Sequence, residues 1–102
     1  MGLIVQKFGG SSVATTEKLK LVAEHIKKEL DLNNQVVVFV SAQGKTTDKL
    51  IAEEKEITKN ASPREHDVLV STGEQITTAK LSMILHEKGI KAVSLTGWQI
   101  PI

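Results

Sequence analysis

The sequence predicts an α/β fold built on a mainly parallel sheet. Strand-like and helix-like segments alternate along the chain, the arrangement that gives a parallel sheet with right-handed crossovers. The clearest strand, Val36-Val37-Val38-Phe39-Val40, is apolar without alternation, which predicts cover on both of its faces. A polar, glycine-bearing loop follows each of three strands. In parallel sheets such loops gather at the carboxyl edge, where ligands bind, so the three should meet in one place.

In chain order, residues 3–8 read as a short strand ended by Gly9-Gly10-Ser11-Ser12. Residues 16–30 read as a helix, because Leu19, Val22, Ile26 and Leu30 recur at spacings of three and four. Thr15 serves as N-cap, and Glu17 in the first turn suits the helix dipole. A polar turn over 31–35 leads into the strand at 36–40, and a second polar loop covers 41–47. A helix over 48–59 is expected to bury Leu50, Ile51 and Ile57. Ser62 caps the next helix, Pro63 fits its first position and Glu65 completes a capping box. Gly73 is expected to kink or interrupt that helix. It resumes over 74–88 with Ile76, Ala79, Met83 and Leu85 or His86 near one face, and Gly89 is its C-cap. Residues 91–95 read as a third strand and Thr96-Gly97-Trp98-Gln99 as a third loop.

At 102 residues the chain suits one small core and not two domains. Thirteen basic residues against twelve acidic ones leave a net charge of +1 and no basic face for nucleic acid or an anionic membrane. No stretch reaches the roughly 20 apolar residues of a membrane span. The amino terminus does not read as a secretory signal. With no cysteine, disulfides and thiolate metal sites are excluded. A cytoplasmic address is the simplest expectation.

The loops carry the chemistry. Lys7 at a strand end offers a fixed positive charge, and Gly9 and Gly10 let backbone N–H groups approach an anion. A helix amino terminus follows and adds favourable dipole for phosphate. The plainer reading is a tight turn beside a solvated lysine, at about even odds for Gly-Gly alone. A dinucleotide fingerprint fails, because no glycine follows Gly10 until Gly44. Gly44-Lys45-Thr46 resembles the end of a P-loop, but the glycine that loop needs five positions earlier is Phe39. Ser41-Ala42-Gln43-Gly44-Lys45-Thr46-Thr47-Asp48 offers three hydroxyls, a lysine and an acid, and for Thr47 or Asp48 taken alone capping the following helix is the simpler role. Gly73 costs its helix roughly 1 kcal/mol relative to alanine, so close packing or the aiming of Glu74 at a cationic group should compensate. His25, His66 and His86 lack metal-ligand spacing and read as helix-surface or boundary residues. Trp98 reads more simply as core than as a stacking platform, and Lys18, Lys20, Lys27 and Lys28 as a solvated face.

Four blocks together resemble the aspartokinases of the amino acid kinase superfamily. Lys7-Phe8-Gly9-Gly10-Ser11-Ser12 matches that family's opening Lys-Phe-Gly-Gly-Ser/Thr-Ser signature, and Val38 to Asp48 matches its V-x-V-S-A-x-G-x-T-T-D segment. Ser71-Thr72-Gly73-Glu74-Gln75 and Ser94-Leu95-Thr96-Gly97-Trp98-Gln99 match two more blocks, in family order and spacing. The resemblance implies a three-layer α/β/α amino acid kinase (carbamate kinase-like) fold, truncated. It also implies transfer of the ATP γ-phosphoryl group to the L-aspartate side chain, the entry to lysine, threonine and methionine synthesis. By resemblance, Lys7 neutralises the transferring phosphate as the catalytic residue, and Phe8, Gly9, Gly10 and Ser11 form the cradle. Ser41 lines the nucleotide or phosphate side. Lys45, Thr46, Thr47 and Asp48 contact the aspartate pocket, and Glu74 accepts from the substrate ammonium. Mg2+ arrives with ATP, and no protein metal site is implied.

Two departures stand out. Gln43 replaces a common methionine, with a small expected effect, and Ile100-Pro101-Ile102 replaces Ala-Gly-Ile. A whole kinase domain of this type is more than twice as long and is usually followed by regulatory ACT domains. The chain is therefore expected to be an amino-terminal portion with negligible turnover alone. Two rival readings remain open: a non-catalytic binding module that oligomerises through an exposed sheet edge or apolar surface, and a kinase of another small carboxylate.

Overall fold

The computed structural model describes residues 2–95. Its elements are β1 (Leu3–Phe8), α1 (Thr16–Asp31), β2 (Gln35–Val40), α2 (Thr46–Ile57) and α3 (Pro63–Glu87). The two strands pair in parallel, with Leu3 opposite Gln35 and Phe8 opposite Val40, so the α/β class with a parallel sheet is as expected. The third loop, Thr96-Gly97-Trp98-Gln99, lies outside the described residues.

Helix α1 forms where its periodicity places it. The Thr15 hydroxyl accepts from the Lys18 amide at 3.2 Å, which satisfies one of the free N–H groups of the first turn. Leu19, Val22, Ala23 and Ile26 are buried. Past the Leu32 C-cap stands Asn33, whose φ of 65° is a conformation asparagine tolerates better than most residues. Asn33 N–H donates to Leu30 at 2.9 Å and Asn34 N–H to Glu29 at 3.1 Å. Together these bonds close the helix in the Schellman manner. The chain then enters β2.

The core lies between the sheet and the layer formed by α1 and α3. Val13, Leu19, Val22, Ala23, Ile26, Leu81 and Leu85 are buried there, with Phe8, Val36, Val38 and Val40 packed against them. Strand β2 departs from expectation. Its burial alternates, and Val37 and Phe39 are 43% and 46% exposed. Both helices that touch the strand share one face, so among the described residues the other face is open, with Leu3 and Val5 beside it.

Three further expectations are corrected. Helix α2 starts at Thr46, two residues early, and buries nothing fully; Ile57 is 83% exposed, because α2 packs on α3 and not on the sheet. Helix α3 runs unbroken for 25 residues through Gly73, which unlike proline keeps its N–H in the ladder. Its buried face is Gly73, Thr77, Leu81 and Leu85, leaving Ile76 and Met83 exposed. Thr77 is buried at no polar cost because its hydroxyl donates to the Gly73 carbonyl at 3.2 Å.

At its start α3 is capped by Ser62, which accepts from the Glu65 amide at 3.3 Å. The Glu65 side chain instead pairs with Arg64, so only half of the expected capping box forms. At its end Gly89, with φ of 77°, closes a second Schellman turn. There Gly89 N–H donates to His86 and Ile90 N–H to Leu85, both at 3.0 Å. Residues 91–95 then form no strand. The Ala92 carbonyl is taken by His86 Nε2 at 2.7 Å, and a cleft of about 250 Å³ lies between this segment, β2 and α3.

Candidate functional site

The first loop springs from the carboxyl end of β1. Lys7 is exposed and pairs in register with Phe39, so its side chain rises from the open face of the sheet. Phe8 points the other way, into the α1 layer. Gly9 accepts from the Ser12 amide at 3.0 Å, which turns the chain back toward α1. Lys18, expected as a solvated residue, donates to the Ser11 carbonyl at 3.0 Å across that turn. An open cleft of about 400 Å³ adjoins it, bounded by Phe8, Ser11, Ser12, Lys18, Leu21, Val22 and His25.

The second loop leaves β2 alongside the first. Ser41 extends the ladder by donating its N–H to the Phe8 carbonyl at 3.1 Å, and its residue stays exposed. The Gly44 N–H donates to the Gly10 carbonyl, also at 3.1 Å. A β-carbon at position 10 would lie 3.1 Å from the Ala42 carbonyl oxygen, a tight contact that the absence of a side chain relieves. Gln43 joins the loops a second time: Nε2 donates to the Val13 carbonyl at 3.0 Å, while Oε1 accepts from Lys80 of α3 at 2.7 Å.

Helix α3 reaches the same place through Gly73. A β-carbon at that position would stand 2.8 Å from Ala42 Cβ and 3.3 Å from Thr46 Cγ2. Of the two compensations that the sequence leaves open for this glycine, close packing is the one the geometry supplies. Lys45 is the N-cap of α2 without a side-chain cap bond, and Thr46, Thr47 and Asp48 form the first turn. The Thr46 N–H donates to the Gln43 carbonyl at 2.8 Å. Glu74, one residue past the packed glycine, is exposed.

The structure thus brings together Gly10, Ala42, Gly44, Thr46 and Gly73, and with them the loops that carry most of the expected site. Glu74 and Lys7 lie at its margins. Residue reasoning missed Lys80 and the two-sided bonding of Gln43. The available signal for Gln43 was a carboxamide, a group able to donate and accept at once, inside a loop of hydroxyls and glycines. For Lys80 there was none, since the fold alone brings it 37 residues back to Gln43. Among the described residues, no group of histidine, aspartate and glutamate side chains is arranged to hold a metal ion. No helix of the described residues is long and apolar enough to cross a membrane.

Residues 2–102 match the amino acid kinase family. The aspartokinase of Geobacillus stearothermophilus is 57% identical across all of this chain, which spans 25% of that protein. Aspartokinase 2 of Bacillus subtilis (strain 168) is 54% identical over the same 102 residues, again with 25% of its length covered. The crystal structure of aspartate kinase from Synechocystis superposes with a TM-score of 0.92 at 50% identity, covering 96% of this chain and 17% of that one. The chain spans about a quarter of the length of the curated relatives it matches.

Proposed function

The chain belongs to the amino acid kinase family, and on that premise we propose that it supplies the phosphate and acceptor side of an aspartate kinase site. The reaction is attack of the L-aspartate side-chain carboxylate on the γ-phosphorus of ATP. The bond to the β-γ bridging oxygen breaks, and 4-phospho-L-aspartate and ADP result. The observation that carries the reading is the join of the two loops at the carboxyl end of the parallel strands, Gly44 N–H to Gly10 at 3.1 Å, with Gly73 packed on the second loop.

Phosphoryl transfer asks for positioning and charge stabilisation and needs no covalent intermediate with the protein. Lys7 provides the charge, and the backbone of Gly9, Gly10 and Ser11 provides the cradle, with Phe8 anchoring it in the core. Ser41 faces the nucleotide. Lys45, Thr46, Thr47 and Asp48 meet the aspartate, and Glu74 receives its ammonium. Mg2+ enters on the ATP phosphates. Lysine, threonine and methionine synthesis in the cytoplasm is the setting in which ATP and aspartate are both available.

A second reading rests on the open sheet face. Leu3, Val5, Val37 and Phe39 are exposed there, and such a patch favours association with another protein surface. In that reading the chain is an oligomerising module, and homo-oligomerisation is also compatible with the kinase reading. A kinase of another small carboxylate is separated by substrate competition.

The test is isothermal titration of the chain with Mg-ATP and then L-aspartate, with ADP release followed in parallel. Binding of both ligands with negligible turnover is expected, and Lys7→Ala is expected to abolish Mg-ATP binding while leaving the circular dichroism unchanged. Binding that survives Lys7→Ala would remove Lys7 from the site, and uptake of neither ligand would favour the interaction module.

A further inference from the structure

Gln43 sits where three parts of the molecule converge: the end of the glycine loop, the second loop and the middle of α3. Its Nε2 donates to the Val13 carbonyl at 3.0 Å and its Oε1 accepts from the Lys80 ammonium at 2.7 Å. Only a side chain that donates and accepts at once can make both bonds, and only one orientation of the amide satisfies both partners. Methionine makes neither. Glutamate accepts from Lys80 but, ionised, has no hydrogen for Val13.

The bonds have different strengths. The contact with Lys80 involves a full charge and is short, which makes it the stronger of the two. It holds the amide in place, so that the opposite end can restrain Val13, a buried residue that terminates the glycine loop. Next along the chain Gly44 makes its own bond to Gly10. The two inter-loop bonds therefore flank the backbone that would surround an anion.

We propose that Gln43 is a positioning residue, anchored by Lys80, which sets the spacing between the glycine loop and the second loop. Its consequence for phosphate affinity rests on the kinase reading above. The spacing itself does not. Anion cradles built of backbone N–H groups bind well only when held in place beforehand, because ordering them on binding takes free energy from the complex.

The experiment compares Gln43→Met, Gln43→Glu and Lys80→Met with the parent chain by amide hydrogen exchange and by Mg-ATP titration. Loss of the Val13 bond should speed exchange at the Gly44 amide about fivefold, the equivalent of one ordinary neutral hydrogen bond. Gln43→Met and Gln43→Glu should both do so, and Lys80→Met should have a smaller effect, since the Val13 bond remains. The amides of Val22 and Ile26 in α1 should exchange as in the parent. They separate a loosened loop from a loosened molecule, which would move all amides together. Mg-ATP affinity should fall in the order of the exchange effect. Unchanged Gly44 exchange in Gln43→Met, a Gln43→Glu variant indistinguishable from the parent, or equal acceleration throughout α1 would each overturn the proposal. If the parent chain takes up no Mg-ATP, the kinase reading fails while the exchange rates still decide the role of Gln43.

Discussion

At Gly73 a single hydrogen atom stands where any other residue would drive a β-carbon to within 2.8 Å of Ala42 Cβ. Ala42 is itself buried, so neither partner can swing aside into solvent. Gly73→Ala is therefore expected to destabilise the chain by about 1–3 kcal/mol, the usual range for overpacking, although alanine is the better helix former. Chemical denaturation measures this, and a variant as stable as the parent would mean that α3 can slide. The sequence made it legible that something had to offset a glycine in mid-helix. It did not show what, because Ala42 lies 31 residues away and only the fold brings it near. Gln43 is the complementary case: its chemistry was visible in the sequence and its two partners were not.

Elements follow from the sequence where local chemistry decides them. Thr15, Ser62 and Gly89 mark helix ends because a cap is a matter of a few neighbouring atoms. Faces are harder. The apolar run of β2 reads as doubly covered, yet what covers a strand is tertiary, and here α1 and α3 both take the same side. The turn of α3 about its axis was equally hidden, since its apolar residues are spread widely enough to suit more than one face. Between these two helices, Lys88 donates to Glu24, and by that bond and its charge holds the Glu24 carboxyl below its ordinary value. Because folding lowers this pKa, the pair stabilises the chain above the ordinary value of 4.5 and the contribution is lost as pH falls through the folded value. Glu24→Gln should accordingly lower the denaturation midpoint slightly at pH 7 and converge with the parent in acid. Added salt should shrink the difference, as both groups are at the surface. A gap that persists at pH 2 would assign the effect to packing.

At the scale of the fold, the consequential asymmetry is that, among the described residues, the sheet has one packed face and one open face. Parallel sheets are ordinarily covered on both sides, and an open apolar face with free strand edges invites pairing. Small-angle scattering over a concentration series is expected to show a dimer or larger species, whereas a monodisperse monomer at every concentration would count against association through this face. The α/β class was legible from alternation and from the four loop blocks. The sidedness was not, because one chain's sequence does not say which of its apolar surfaces its own helices will reach.

The parallel ladder also governs how the chain comes to be folded. Every rung from Leu3–Gln35 to Phe8–Val40 joins residues 32 positions apart. No rung can form until a loop of that length has closed, and after the first has formed the remainder need little further closure entropy. Assembly of the sheet is thus an all-or-nothing event of high contact order, slow beside the growth of α1, whose formation takes up most of the chain between the strands and brings the two strand ends within reach.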